Sequence, residues 1–100
     1  MPVYVVFLRE SEVHAPEELV KYQTADRPDT SNISMRPLAV YGQLEALEGE
    51  APDGVTILEF ATMDDAKAWY NSPEYQAASI HRRNAADYRT FIVEGFSMPT

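Results

Sequence analysis

The sequence AWYNSPEYQ, residues 68–76, surrounds a proline with three large aromatic side chains in a region that is otherwise typical of one helix. A proline inside a helix removes one backbone hydrogen bond and presses on the carbonyl group four residues earlier, at a cost of about 3 kcal/mol. Ser72 is a favoured N-cap, and Pro73 suits the first position of a helix. We therefore predict that the helix is broken at Ser72-Pro73 and that a second helix begins there.

Strands are predicted on both sides of this broken helix. Residues 55–61 (VTILEFA) are rich in β-branched and apolar side chains and indicate a strand. Thr62 then caps a helix that begins at Met63, with Asp65 at the position of a capping-box acid. The helix after the break runs to about Ala86, and residues 89–94 (RTFIVE) indicate another strand. This half of the chain is therefore predicted to run strand, broken helix, strand.

The first half of the chain has the same kind of pattern. Residues 3–8 (VYVVFL) have no polar alternation, which is typical of a strand covered on both faces. A helix opens at Pro16, and residues 26–36 form a loop rich in Asp, Ser, Asn and Pro. Residues 38–44 are predicted to be a strand, and residues 45–54, with two glycines and a proline, its hairpin connection.

The order of strand, helix, strand, strand, helix, strand is the split βαβ pattern of the ferredoxin-like fold. We therefore predict the α+β class, with one domain over residues 1–96, an antiparallel four-stranded sheet and a short tail over residues 97–100. The first strand is apolar on both faces, with Val5 and Phe7 on one and Tyr4 and Val6 on the other. In so short a chain the expected cover for a second apolar face is another copy, which predicts a symmetric homodimer.

The composition excludes several classes of function. Eight Lys and Arg against sixteen Asp and Glu leave a net charge of −8, which would repel nucleic acid and anionic membranes. The absence of cysteine excludes disulfides, thiolate catalysis and zinc ribbons. His14 and His81 are far apart and lack partners at ligand spacing, so no metal site is predicted, and no cofactor-binding motif occurs. The apolar start is too short for a signal-peptide core, so a cytoplasmic protein is expected.

Four segments carry a family resemblance: residues 47–49 (LEG), 57–60 (ILEF), 68–76 (AWYNSPEYQ) and 93–95 (VEG). In this order and spacing the chain resembles the bacterial "domain of unknown function thirteen-thirty" family. The resemblance implies a dimeric α/β barrel, in which two ferredoxin-like sheets pack face to face. Relatives in that superfamily include cofactor-free monooxygenases, lactone isomerases and haem-handling proteins, but the family itself has no agreed activity. Its members often carry an arginine where this chain has Tyr41, just before Gly42.

Two residues are candidates for catalysis. Glu59 shares a strand face with Val55 and Ile57, and a carboxylate that is desolvated there could shuttle a proton. The alternative is a structural glutamate that is bonded to Tyr41, an arginine or loop amides. His81 lies at the edge of the apolar stripe of the second helix, where it could exchange protons with a substrate or only shield the core.

Four further residues are candidates for ligand binding. Arg82 either complements the helix dipole, together with Arg83, or reaches an anionic ligand. Tyr41, Trp69 and Tyr70 either belong to the core alone or form the wall of a cleft between sheet and helices. The predicted function is binding of a small organic metabolite in this cleft, either as a cofactor-independent enzyme of proton transfer or oxidation, or as a non-catalytic dimeric binding or regulatory module.

Overall fold

The computed structural model describes residues 1–97. It contains, in chain order, strand β1 (Val3–Arg9), helix α1 (Pro16–Thr24), strands β2 (Met35–Val40) and β3 (Gly54–Phe60), helices α2 (Met63–Asn71) and α3 (Pro73–Ala85), and strand β4 (Tyr88–Glu94). The four strands form one antiparallel sheet in the order β2-β3-β1-β4. The ferredoxin-like α+β fold is therefore confirmed. None of the helices in residues 1–97 has the length and hydropathy needed to cross a membrane.

The break between α2 and α3 is made by the serine and the proline, as the sequence predicts. Ser72 has extended backbone angles, and its hydroxyl oxygen accepts a hydrogen bond from the Tyr75 backbone N–H at 3.2 Å. The same hydroxyl donates to the Trp69 carbonyl oxygen at 2.8 Å, so it satisfies groups on both helices. Pro73 begins α3 without loss of a hydrogen bond, because the first N–H of a helix has no partner within it.

The core lies between the helices and one face of the sheet. Its buried members are Val3, Val5, Phe7, Leu58, Phe60, Ala66, Trp69 and Tyr75. Trp69 is at its centre, with ring centroids 4.1 Å from Tyr75, 5.6 Å from Phe60 and 6.5 Å from Phe7. Side chains of this size each contribute about 1.5–3 kcal/mol when they are fully buried, so this aromatic group holds α2 and α3 on the sheet.

The opposite face of the sheet is open and apolar, and we call it the open face. Tyr4, Val6, Leu38, Ile57 and Val93 line a broad depression on it. Leu38 and Val93 are each 47% exposed, and Phe91 is 45% exposed. Both faces of the sheet are therefore apolar, as the pattern of the first strand predicts.

Strand β2 differs from its prediction. It spans Met35–Val40 rather than residues 38–44, and its register shifts between Pro37 and Ala39. Pro37 is accommodated because β2 is an edge strand, where a proline does not remove a ladder hydrogen bond from the sheet interior. The strand ends at Val40, and the next residue, Tyr41, has a φ of 50°, in the left-handed region that non-glycine residues seldom adopt. The shift puts Leu38 on the open face and Val40 on the helix side.

Candidate functional site

A cavity of about 220 Å³ lies between the helices and strands β1, β2 and β3. Its lining consists of Phe7, Tyr22, Arg27, Met35, Val40, Tyr41, Thr56, Leu58, Trp69 and Arg82. Most of these side chains are apolar or aromatic, and the few polar groups among them come from separate elements. Apolar walls with a few convergent polar groups are typical of sites for small organic ligands.

Arg82 is the most unusual residue of the lining. The buried side of α3 carries Tyr75, Ala78, Ser79, Arg82 and Ala85, at the spacing of three and four residues that defines one helix face. Arg82 is only 2% exposed, and its guanidinium lies over two rings, 5.1 Å from Phe7 and 4.8 Å from Tyr88. Its Nε and Nη1 atoms are buried and have no hydrogen-bond partner among residues 1–97.

Thr56 is a second polar residue without a partner in the lining. It precedes Leu58 and Phe60 at the two-residue spacing of one strand face, so its side chain is on the helix side of β3. Its Oγ1 atom is buried and, within the described part of the chain, makes no hydrogen bond. Buried hydroxyl and guanidinium groups are nearly always satisfied, so the two together indicate a place where a ligand or water belongs.

Tyr41, a lining residue, contacts Tyr88, which lies outside the lining. Their hydroxyl groups are hydrogen-bonded at 2.7 Å, and Arg9 lies 5.5 Å from the Tyr41 ring centroid. Burial, followed by the hydrogen bond with Tyr41, raises the pKa of Tyr88, so its phenol is neutral. Gly54 is needed beside this ring, because an added Cβ would lie 2.7 Å from Tyr41 Cδ1.

Tyr22, Tyr75 and Arg27 form the α1 side of the site. The hydroxyl groups of Tyr22 and Tyr75 are 3.0 Å apart, and Arg27 lies 4.4 Å from the Tyr22 ring centroid. Arg27 also donates to the Tyr22 carbonyl oxygen at 2.8 Å. Burial raises the pKa of Tyr75, and the neighbouring Tyr22 raises it further. This side of the site therefore offers neutral hydroxyls and one exposed positive charge.

The predicted ligand-binding residues are partly brought together. Tyr41, Trp69 and Arg82 all line the cavity. Tyr70 does not; it packs on Tyr75 with ring centroids 5.5 Å apart and lines a separate depression beside β4. Arg82 is buried against the cavity, whereas Arg83 is exposed at the end of α3.

The two predicted catalytic residues lie outside the cavity lining. Glu59 precedes the buried Phe60 on β3, so its side chain is on the opposite side of the sheet, the open face. There its Oε1 is 3.2 Å from Arg36 Nη2. His81 lies at the contact of α1 and α3, and its Nδ1 is 2.8 Å from Glu18 Oε2. That hydrogen bond lowers the pKa of Glu18. The expected grouping of Glu59 and His81 with Tyr41 and Trp69 is therefore not what the geometry gives.

Four residues with polar groups in or beside the cavity lining were not predicted as site residues: Tyr22, Arg27, Thr56 and Tyr88. The sequence pattern does mark Thr56, since it is a polar residue at an inward position of an otherwise apolar strand face. No sequence pattern marks Arg27, because it follows α1 in a loop whose path the sequence does not specify. No cluster of three or more His, Asp or Glu side chains arranged to hold a metal ion occurs in residues 1–97.

Comparison with known proteins identifies a family and a fold. The model of the family described as "Domain of unknown function (DUF1330)" matches residues 2–96. A protein of unknown function from Rhodopseudomonas palustris has a similar crystal structure, with 22% identity, a TM-score of 0.70 and coverage of 97% of this chain and 84% of that one. No curated protein matches the sequence.

Two other solved structures share the architecture at lower identity. One is a dimeric protein of unknown function and ferredoxin-like fold from Bacteroides fragilis, with 19% identity, a TM-score of 0.54 and coverage of 94% of this chain and 96% of that one. The other is an ethyl tert-butyl ether d (ethd) family protein from Bacillus halodurans, with 11% identity, a TM-score of 0.58 and coverage of 96% and 100%. At these identities the likeness concerns the fold alone.

Proposed function

The chain belongs to the family described as "Domain of unknown function (DUF1330)", and we propose that it binds a small organic metabolite in the cavity between the sheet and the helices. The observation that carries this proposal is the lining itself. Aromatic walls from Tyr22, Tyr41 and Trp69 enclose buried polar groups that have no partner within residues 1–97. A cavity of about 220 Å³ suits a ligand smaller than the drug-sized molecules that occupy pockets of roughly 300–1,000 Å³.

The lining favours a binding or regulatory module over an enzyme that transfers protons. Within residues 1–97 it contains no carboxylate and no imidazole, and arginine does not exchange its proton near neutral pH. Proton transfer or cofactor-independent oxidation assisted by Glu59 or His81 would require a ligand that extends beyond the cavity. If Glu59→Gln and His81→Ala retain ligand affinity but lose turnover, the enzyme is the better proposal.

We propose further that the chain acts as a homodimer through the open face. Its apolar strand residues form a continuous surface, and a structural neighbour from Bacteroides fragilis is described as dimeric. Val93→Asp would bury a charge at such an interface and should give the mass of one chain by light scattering. Val20→Asp, on the exposed side of α1, is the matched control and should keep the mass of two chains. A wild-type protein with the mass of one chain contradicts the dimer.

Fluorescence offers a direct test of the cavity, because Trp69 is the only tryptophan and lies in the lining. A thermal-shift screen of small aromatic and aliphatic acids, amides and alcohols selects probes, and a fluorescence titration then measures their affinity. Val40→Phe should weaken every selected probe, because Val40 is a lining residue that is 58% exposed at the cavity rim. Val20→Phe, at an equally exposed site on α1, should not. Affinities that Val40→Phe leaves unchanged would contradict the proposed site.

A further inference from the structure

Arg82 lacks the partner that a buried guanidinium normally has. Burying an ion costs several kcal/mol, and natural proteins offset that cost with an opposite charge or a set of hydrogen bonds. Among residues 1–97, Arg82 forms no ion pair, and two of its three nitrogens are buried without a hydrogen bond. The rings of Phe7 and Tyr88 offset part of the cost through cation–π contacts, each worth about 0.5–2 kcal/mol.

The missing partner is not explained by a shortage of acids in the chain. Sixteen Asp and Glu stand against eight Lys and Arg, and the net charge is −8. The ion pairs seen in residues 1–97 use Glu10, Glu18 and Glu59, all of which lie away from the cavity. Within residues 1–97, therefore, no acidic side chain pairs with the buried positive charge of Arg82, and the cavity leaves room for a negative group to enter.

The unpartnered polar groups of the cavity can donate hydrogen bonds to an acceptor on a ligand. Arg82 offers only donors, and the Thr56 hydroxyl can donate as well as accept. Arg27 adds a second positive charge to the lining from the α1 side. A carboxylate fits such a set, since its planar oxygens can take two hydrogen bonds from one guanidinium and a third from a hydroxyl.

The remaining walls define the body of the ligand. Phe7, Tyr22, Tyr41 and Trp69 present rings to the cavity, and rings pack well against planar unsaturated groups. We infer that the cavity binds a small planar carboxylate, aromatic or unsaturated, whose carboxylate is held by Arg82 and Thr56. This inference names the ligand class of the site proposed above and rests on that proposal.

The test compares two probes of one shape and different charge. Benzoate and benzamide are titrated separately into the wild-type protein, and binding is followed by the fluorescence of Trp69. Benzoate should bind roughly ten- to a hundredfold more tightly, as expected for charge-assisted hydrogen bonds against neutral ones. Equal affinity for the two probes would overturn the carboxylate inference and leave the binding cavity standing. No saturable response to either probe at millimolar concentration would overturn both.

Variants then assign the preference to residues. Arg82→Met replaces the guanidinium with a shorter, flexible apolar side chain and should abolish the preference for benzoate over benzamide. Arg83→Met is the matched control on the same helix, where the side chain is exposed, and should retain it. Thr56→Val is isosteric and removes a hydroxyl that has no partner in the described residues 1–97, so the variant should fold. Its affinity for benzoate should fall about tenfold, and its affinity for benzamide should fall less. A benzoate preference that survives both Arg82→Met and Thr56→Val would contradict the assignment.

Discussion

Replacement of Arg82 by methionine should make the protein more stable while it removes the preference for a carboxylate ligand. Most buried residues cannot be changed in this way, because truncation of a satisfied side chain leaves a cavity or an unpaired partner. Arg82 is different, since it is 2% exposed and two of its three guanidinium nitrogens are buried without a hydrogen-bond partner in residues 1–97. A functional residue that is unfavourable for the fold in the absence of ligand is the expected result of selection for binding.

The size of this effect follows from the contacts of the guanidinium. Loss of the ring contacts with Phe7 and Tyr88 costs about 1–4 kcal/mol in all. Removal of two unsatisfied buried nitrogens raises the free energy of unfolding by about 1–3 kcal/mol for each, and removal of the buried charge raises it further. Methionine restores part of the packing through its own contacts with the rings, about 0.3–1.5 kcal/mol. We expect the free energy of unfolding to rise by about 1–3 kcal/mol.

Thermal unfolding followed by circular dichroism, at one fixed protein concentration and without ligand, measures this change. For a domain of this length each kcal/mol corresponds to a rise of about 4–8 °C in Tm. Arg83→Met serves as the control and should stay within about 0.5 kcal/mol of the wild type, as exposed substitutions usually do. A loss of several kcal/mol in Arg82→Met would refute the reasoning, because it would mean that the guanidinium is a satisfied part of the core.

Three further predictions concern the framework of the site. The hydrogen bond with His81 lowers the pKa of Glu18. The stability that this carboxylate contributes is therefore present above its ordinary pKa of 4.5 and is lost as the pH falls through the lowered value. Below pH 4.5 the Tm of Glu18→Gln should fall less steeply with pH than the Tm of the wild type. Gly54→Ala should cost about 1–3 kcal/mol in urea unfolding, because its Cβ would meet the Tyr41 ring at 2.7 Å. Ser72→Ala should cost about 1 kcal/mol by the same assay, since it removes the N-cap of α3, and no change would mean that the cap is dispensable.

The sequence patterns predict most of the fold because burial in a small domain follows the period of each element. The apolar, β-branched patterns of residues 3–8 and 55–61 and the cap at Ser72 all have the predicted counterparts in β1, β3 and α3. The bounds predicted for strand β2 are wrong because Pro37 is typical of a loop, whereas the edge of a sheet tolerates a proline. The register shift beside Pro37 follows from pairing with β3, which a local pattern does not contain.

The site could be predicted only in part, since alternation assigns a residue to a face without saying which face carries the cavity. Glu59 shares a face with Ile57 as predicted, but that face is the open one. Arg82 and Arg83 are neighbours with identical chemistry, and only the packing of α3 decides that the first is buried and the second exposed. The significance of Arg82 arises because its buried nitrogens have no partner among the residues that the structure describes, which is a property of the folded chain rather than of its sequence.

A crystal structure of the wild-type protein grown with benzoate would show the proposed binding mode itself. We expect density for one benzoate in the cavity beside Trp69, with its carboxylate within hydrogen-bond distance of Arg82 and Thr56. Benzoate on the surface alone, or a cavity that holds only water, would contradict it.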